Sequence, residues 1–135
     1  MAMATATVKQ VTKRSFEETV KDGIVLLDFW AAWCGPCRGF APIFEGAASR
    51  HPDVRFGKVD TEAEPGLAAA FEIRAIPTLV VLRDGVLLGA LPGAMSAMAI
   101  DELVGKVKAL DMAEVLRKVA EKEPQEPRVA KAGGA

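Results

Sequence analysis

Ile24-Val25-Leu26-Leu27-Asp28-Phe29-Trp30 is followed at once by Ala31-Ala32-Trp33-Cys34-Gly35-Pro36-Cys37-Arg38, and the reading of this stretch decides the fold. The first part is almost wholly apolar and β-rich, which predicts a strand covered on both faces. The second part holds the only two cysteines of the chain. After them Phe40, Ile43, Phe44 and Ala47 recur at helical spacing, so the cysteines fall at a strand-to-helix junction. A Cys-x-x-Cys at such a junction is a redox motif if the rest of the chain supports it.

The chain has 135 residues, half of them apolar, with a net charge of -1. That length holds one domain with a real core. The charge balance argues against a nucleic-acid binder, which needs clustered excess Lys and Arg. No apolar stretch approaches the roughly 20 residues of a membrane span. Residues 1–7 lack the basic and apolar regions of a signal peptide, so residence in the cytoplasm is expected. In that compartment a close cysteine pair points to catalysis before structure.

Outward from the motif, residues 1–5 read as frayed and Ala6 to Val11 as an edge strand. Ser15 with Glu18 gives a helix start, and Asp22-Gly23 its end. Pro42 should kink the helix after the cysteines. His51-Pro52-Asp53 makes a turn, with no role assigned to His51. Val54 to Asp60 is a second central strand, parallel to the first through a helical crossover. Glu64-Pro65-Gly66 opens a short helix through Phe71. Ile73 to Pro77 is a loop. Thr78 to Leu82 and Val86 to Leu91 pair across Arg83-Asp84-Gly85, which carries the Asp-Gly hairpin signal. Pro92-Gly93 ends the hairpin. Ser96 to Leu110 is an amphipathic helix. Asp111 to Glu114 repeats the capping signal before Met112, Val115, Leu116 and Val119 mark one more amphipathic helix. The Pro, Glu, Lys, Ala and Gly of the tail predict disorder. The expectation is an α/β domain with a mixed sheet of four to five strands flanked by helices. Its domain covers residues 1–110, an extra helix 111–123 and a disordered tail 124–135.

Leu27-Asp28-Phe29-Trp30-Ala31-Ala32-Trp33-Cys34-Gly35-Pro36-Cys37-Arg38 resembles the active-site signature of the thioredoxin family nearly residue for residue. Pro42 resembles its helix-kinking proline, Ile76-Pro77-Thr78 its cis-proline segment, and Gly85 and Gly93 its hairpin and groove glycines. The likeness runs from about residue 6 to residue 110. It departs at Arg38, where Lys is commoner, and at Pro92 before Gly93; it says nothing of the helix after Leu110.

The resemblance implies a thioredoxin fold and a protein-disulfide reductase active in cell redox homeostasis. Cys34 is then the nucleophile, its thiolate favoured by the helix N-terminus. Cys37, one helical turn inward, resolves the mixed disulfide. Pro36 fits a first helical turn and Gly35 allows close approach of a substrate chain. Asp28 is the odd residue in an apolar strand. Burial should raise its pKa toward working pH, and the resemblance makes it the proton acceptor for Cys37, with Lys58 its charge partner. If alternation turned Asp28 to solvent instead, it would be an ordinary surface acid. X-Pro bonds are cis in only about 5% of cases; the resemblance nonetheless implies a cis Pro77. Trp33, Gly35, Pro36, Ala75, Ile76, Gly93 and Ala94 would line an apolar substrate groove. Trp30 reads as core. No bound cofactor is implied. The resemblance implies electrons from NADPH through thioredoxin reductase, and as partners that reductase and the disulfide-containing clients of a monomer, with no nucleic acid or membrane expected.

The alternatives differ in chemistry. A structural disulfide gains little from so small a loop. A zinc site needs four ligands, which two cysteines and His51 cannot supply without a partner chain. An oxidant or isomerase would use the same cysteines, but Gly35-Pro36 between them resembles thioredoxins and not the Gly-His or Pro-His of isomerases and periplasmic oxidants. A binding module could use the Met112 to Val119 face, against the simpler reading that this helix packs on its own domain or extends the one before.

Overall fold

The computed structural model describes residues 8–122. The frayed start and the tail expected from sequence lie outside the described residues, as do Ala6 and Thr7 of the first expected strand. The elements are β1 (Val8–Gln10), α1 (Phe16–Val20), β2 (Ile24–Trp30), α2 (Gly35–Arg50), β3 (Arg55–Asp60), α3 (Pro65–Ala70), β4 (Thr78–Arg83), β5 (Val86–Pro92), α4 (Ala97–Ala109) and α5 (Met112–Lys122). They follow the expected order, with boundaries moved by a residue or two. Five strands form one mixed sheet in the order β1-β3-β2-β4-β5. β1 and β2 run parallel to β3, while β4 is antiparallel to β2 and to β5.

β2 is central because nearly all of it is apolar, and both its faces are covered. Leu26 packs with Phe40 and Phe44 of α2, Phe56, Leu79 and the α4 residues Ile100, Val104 and Val107. Val25, Leu27 and Phe29 pack the other way, with Val11, Val20, Val59, Val80 and Leu82, closed over by Phe16 and Phe71. Gly57 permits this second core. A Cβ there would sit 2.6 Å from Val11 Cγ2 and 3.0 Å from Leu27 Cδ2, so a side chain would push β1 and β2 from β3.

The β4–β5 connection is the tight turn that Asp84-Gly85 predicts: φ is 53° at Asp84 and 80° at Gly85, the positive pair that a two-residue hairpin turn requires. A bulge interrupts the pairing after Val81, and Pro92 sits at the end of the edge strand, where a missing N–H is tolerated. Pro42 lies inside α2 and has no N–H to give the carbonyl one turn earlier.

The start of α1 corrects the sequence reading. Ser15 makes no side-chain cap to the helix. Its hydroxyl accepts the Thr12 N–H at 3.0 Å, and Thr12 Oγ1 accepts the Ser15 N–H at 3.3 Å. The reciprocal pair has the bonding of a capping box set three residues earlier, with the Ser15 hydroxyl standing where that pattern has Glu or Gln. Ser96 does cap α4, accepting the Ala99 N–H at 3.1 Å. Asp111 Oδ1 caps α5 through Ala113 and Glu114 N–H at 3.1 and 3.3 Å. Leu110 is extended, with φ -65° and ψ 140°, so α5 is a separate helix and not an extension of α4. His51 closes α2, with Nε2 2.6 Å from Asp101 Oδ1; Arg50 reaches the same oxygen at 2.9 Å and ties the end of α2 to α4.

Candidate active site

The turn after β2 places Cys34 at the N-cap of α2, in extended conformation (φ -87°, ψ 112°). An N-cap side chain faces the unpaired N–H groups of the first turn. Here Cys34 Sγ accepts the Cys37 N–H at 3.2 Å. The two Cα atoms are 5.2 Å apart and the sulfurs are joined in a disulfide. Pro36 occupies the first helical turn, where its missing N–H costs nothing. Arg38 folds back to donate to Ala32 O at 2.8 Å, pinning the turn to the helix. Gly35 and Pro36 are exposed, while both cysteines are buried, with Ala31 and against Trp30 and Ile76.

A second segment, from 40 residues downstream, meets this helix start. The Ile76–Pro77 peptide is cis. Ile76 O lies 3.7 Å from Cys34 Sγ. Pro77 O accepts the Gly93 N–H at 2.8 Å, which brings the β5–α4 loop alongside. Thr78 Oγ1 donates to Ala75 O at 2.5 Å and holds the loop's approach. Ala75, Gly93 and Ala94 are exposed, Ile76 is half-buried, and Pro77 is buried beneath them. A shallow cleft beside the loop is lined by Phe71, Ile73, Ala75, Thr78, Ala90 and Pro92. Trp33 is 67% exposed, a large apolar surface at the edge of the cysteine turn. Its Nε1 donates to Glu62 Oε2 at 3.2 Å. Glu62 had no signal in the sequence, because the contact joins residues far apart in the chain.

Asp28 lies on the α2 side of β2, level with Lys58 of β3 and Leu79 of β4. It is 0% exposed, and neither carboxylate oxygen accepts a hydrogen bond from a protein group. Burial pushes its pKa up to about 6, against the smaller pull of the Lys58 charge in the other direction. Lys58 faces the same side, but its ammonium sits 4.5 Å from the centroid of the Trp30 ring. Trp30 is half-buried, not wholly core, and its Nε1 is buried without a partner. Among the described residues no group of three or more His, Cys, Asp or Glu side chains is placed to hold a metal ion. Nor is any helix there long and apolar enough to cross a membrane.

A strand, a sulfur pair on a helix N-cap and a cis-proline loop facing it define a thiol–disulfide oxidoreductase of the α/β class. A family model, Thioredoxin, matches residues 7–106. A putative thioredoxin 2 of Streptomyces coelicolor is 51% identical over 122 residues, 90% of each chain. A thioredoxin of Listeria monocytogenes is 35% identical over 100 residues, 73% of this chain and 97% of its own. Among solved structures, a thioredoxin from Halobacterium salinarum superposes with a TM-score of 0.74 at 27% identity, covering 82% of this chain and 99% of that one. The chain belongs to the thioredoxin family. It acts by dithiol–disulfide exchange through Cys34 and Cys37, in the service of cell redox homeostasis.

Proposed function

We propose that the protein works in the reducing direction, as a general protein-disulfide reductase. The observation that carries this reading is the position of Cys34: its sulfur takes an N–H of the first turn of α2 and lies beside Ile76 O. In the reduced protein the same N–H groups and the helix dipole favour the Cys34 thiolate. That thiolate attacks one sulfur of a client disulfide. The client's S–S bond breaks, a Cys34–client disulfide forms, and the second client sulfur leaves as a thiolate that takes up a proton. Cys37 then loses its proton to Asp28 and attacks Cys34 Sγ. The client leaves as a dithiol and Cys34–Cys37 remains oxidised. Two electrons from NADPH, delivered by thioredoxin reductase, restore the dithiol.

Asp28 suits the proton step because its pKa of about 6 lies near the working range, where a buried group can both take and give a proton. Lys58, level with it on β3, supplies the charge that moderates the cost of ionising Asp28. The exposed face of Trp33, with Gly35, Pro36, Ala75, Ile76, Gly93 and Ala94 around the cysteines, is the groove for an extended client segment. The protein acts as a monomer in the cytoplasm, with residues 1–110 as the catalytic domain and 111–123 as an added helix.

The test is NADPH-coupled insulin reduction with purified thioredoxin reductase. Cys34→Ser should fall to the uncatalysed rate. Cys37→Ser should trap a mixed disulfide with the client, visible as a covalent adduct. Turnover by Cys34→Ser would overturn the assignment. A reduction potential near about -270 mV fits the reductase, and one between about -180 and -120 mV would make the protein an isomerase or oxidant instead.

A further inference from the structure

Three side chains on one face of the sheet stand in an arrangement that the exchange reaction does not by itself explain. Leu26, Asp28 and Trp30 alternate along β2 toward α2, and Phe56, Lys58 and Asp60 run beside them on β3 in matching register. Asp28 and Lys58 are therefore neighbours across the ladder, a carboxylate and an ammonium on the same face. A buried carboxylate without a hydrogen bond should draw that ammonium to itself. It does not: Lys58 Nζ lies over the Trp30 ring, 4.5 Å from its centroid, and Asp28 accepts no hydrogen bond. The negative face of an indole competes for a cation, and most strongly where water is scarce. Trp30 also packs against the small cluster of Ala31, Cys34 and Cys37, so it borders both the cysteine site and the lysine.

We propose that Trp30 is a positioning residue, whose ring captures the Lys58 ammonium and holds it off Asp28, so that the Asp28 carboxylate stays a strong enough base to take the proton of Cys37. The inference rests on the reading of Asp28 as the proton acceptor. The other groups around Asp28 leave the lysine as the one charge that can be switched. On β3, Asp60 lies one pleat beyond Lys58, and its Oδ1 is taken by the N–H groups of Glu62 and Ala63 at 2.9 and 3.4 Å. On β4 the facing residue is Leu79. The sulfur that α2 adds to the site is Cys37, held in the disulfide with Cys34, and α4 presents Ile100, Val104 and Val107 to this face. On β1, Gln10 pairs with Lys58 and does not titrate. The cluster of Arg50, His51 and Asp101 joins the far end of α2 to α4. With the lysine on the ring, its charge acts on Asp28 only at longer range, and burial dominates.

The experiment follows the Asp28 carboxyl directly, by carbon-detected NMR titration of the oxidised protein, and beside it the pH profile of single-turnover disulfide reduction. Trp30→Leu should lower the Asp28 midpoint by about one unit, because the freed ammonium can approach the carboxylate. Trp30→Phe keeps an aromatic face of weaker pull and should lower it by less, which serves if the leucine variant does not fold. Lys58→Met should raise the midpoint. In the Lys58→Met background, Trp30→Leu should no longer lower it. An unmoved midpoint in both Trp30 variants, or the same lowering with and without Lys58, would overturn the proposal; the second result would mean that the ring acts only by excluding water. If the midpoint moves as stated while the pH profile of reduction does not follow, the positioning role stands and the assignment of Asp28 as proton acceptor fails.

Discussion

Val25, Leu27 and Phe29 point from β2 toward α1 and α3, and all three are 0% exposed among apolar neighbours. Leu26, Asp28 and Trp30 point toward α2, where Asp28 is equally buried. One face is satisfied everywhere. The other holds two carboxylate oxygens and an indole N–H with no hydrogen-bond partner. Asp28 is as deeply buried as Phe29; what differs is whether burial is favourable. Apolar side chains gain free energy on leaving water, while an unpaired carboxylate loses it. This strand therefore supplies stability from one side and gives some of it up on the other, where Asp28 lies. Strain of this kind persists at functional sites when the surrounding packing over-determines it.

The sharpest way to test the apolar side is Phe29→Ala. Phe29 meets the Phe71 ring edge-on at 5.6 Å, and Phe71 in turn meets Phe16 at 5.7 Å. Truncation leaves a cavity that these rings cannot fill, at a cost of about 4 kcal/mol. Urea denaturation should show that loss as a lower midpoint, while the folded protein reduces disulfides at an unchanged rate. A loss of activity without a loss of stability would mean that the two faces are not separable.

Asp28→Ala tests the other side, and its effect depends on pH. The carboxyl has a pKa of about 6 when folded against 3.8 for the free side chain, so the folded state binds the proton more tightly. Native stability therefore falls as pH rises through the window from 3.8 to about 6, and the full cost remains above it. The shift corresponds to about 3 kcal/mol. Relative to the parent, Asp28→Ala should gain that amount between about pH 3 and pH 8, offset at every pH by a constant loss from the small cavity. Denaturation curves at the two pH values measure the difference. Equal effects at both would show that Asp28 ionises freely in the folded protein. The variant should also reduce disulfides more slowly near neutral pH.

Much of this was legible in the chain because it is local. The apolar run of β2, the cysteines at its end, the Asp84-Gly85 hairpin and the Asp111 and Ser96 caps each depend on a few consecutive residues. Asp28 stood out as one acid in an apolar strand. The misread cap at α1 shows the limit of local rules: Ser15-x-x-Glu18 fits the Ser/Thr-x-x-Glu/Gln pattern, yet the Ser15 hydroxyl accepts the Thr12 N–H instead of capping the helix. The Glu62 bond to Trp33 was hidden because it spans 29 residues with no periodic signal. The cis bond at Pro77 was visible only through the family resemblance, since nothing in Ile76-Pro77-Thr78 itself disfavours trans. The choice of Lys58 between Asp28 and Trp30 was hidden for another reason: strand register brings the lysine near both, and the competition is settled by side-chain conformation and desolvation.

The smallest effect is expected outside both faces. Removing residues 111–135 deletes α5, whose Met112 and Val115 are only half-buried and whose Leu116 and Val119 are 52% and 38% exposed. None of these side chains joins either core cluster against β2. The end of α4 keeps its own support, because Arg83 Nη1 donates to Val107 O at 2.7 Å and Leu110 O at 3.3 Å, all of it within the remaining chain. Truncation after Leu110 should therefore lower stability by less than about 1 kcal/mol and leave insulin reduction unchanged. A larger loss, read from the same urea curves, would mean that α5 completes the α2–α4 layer. The face that carries the cysteines would then depend on a helix that lies beyond the matched family domain.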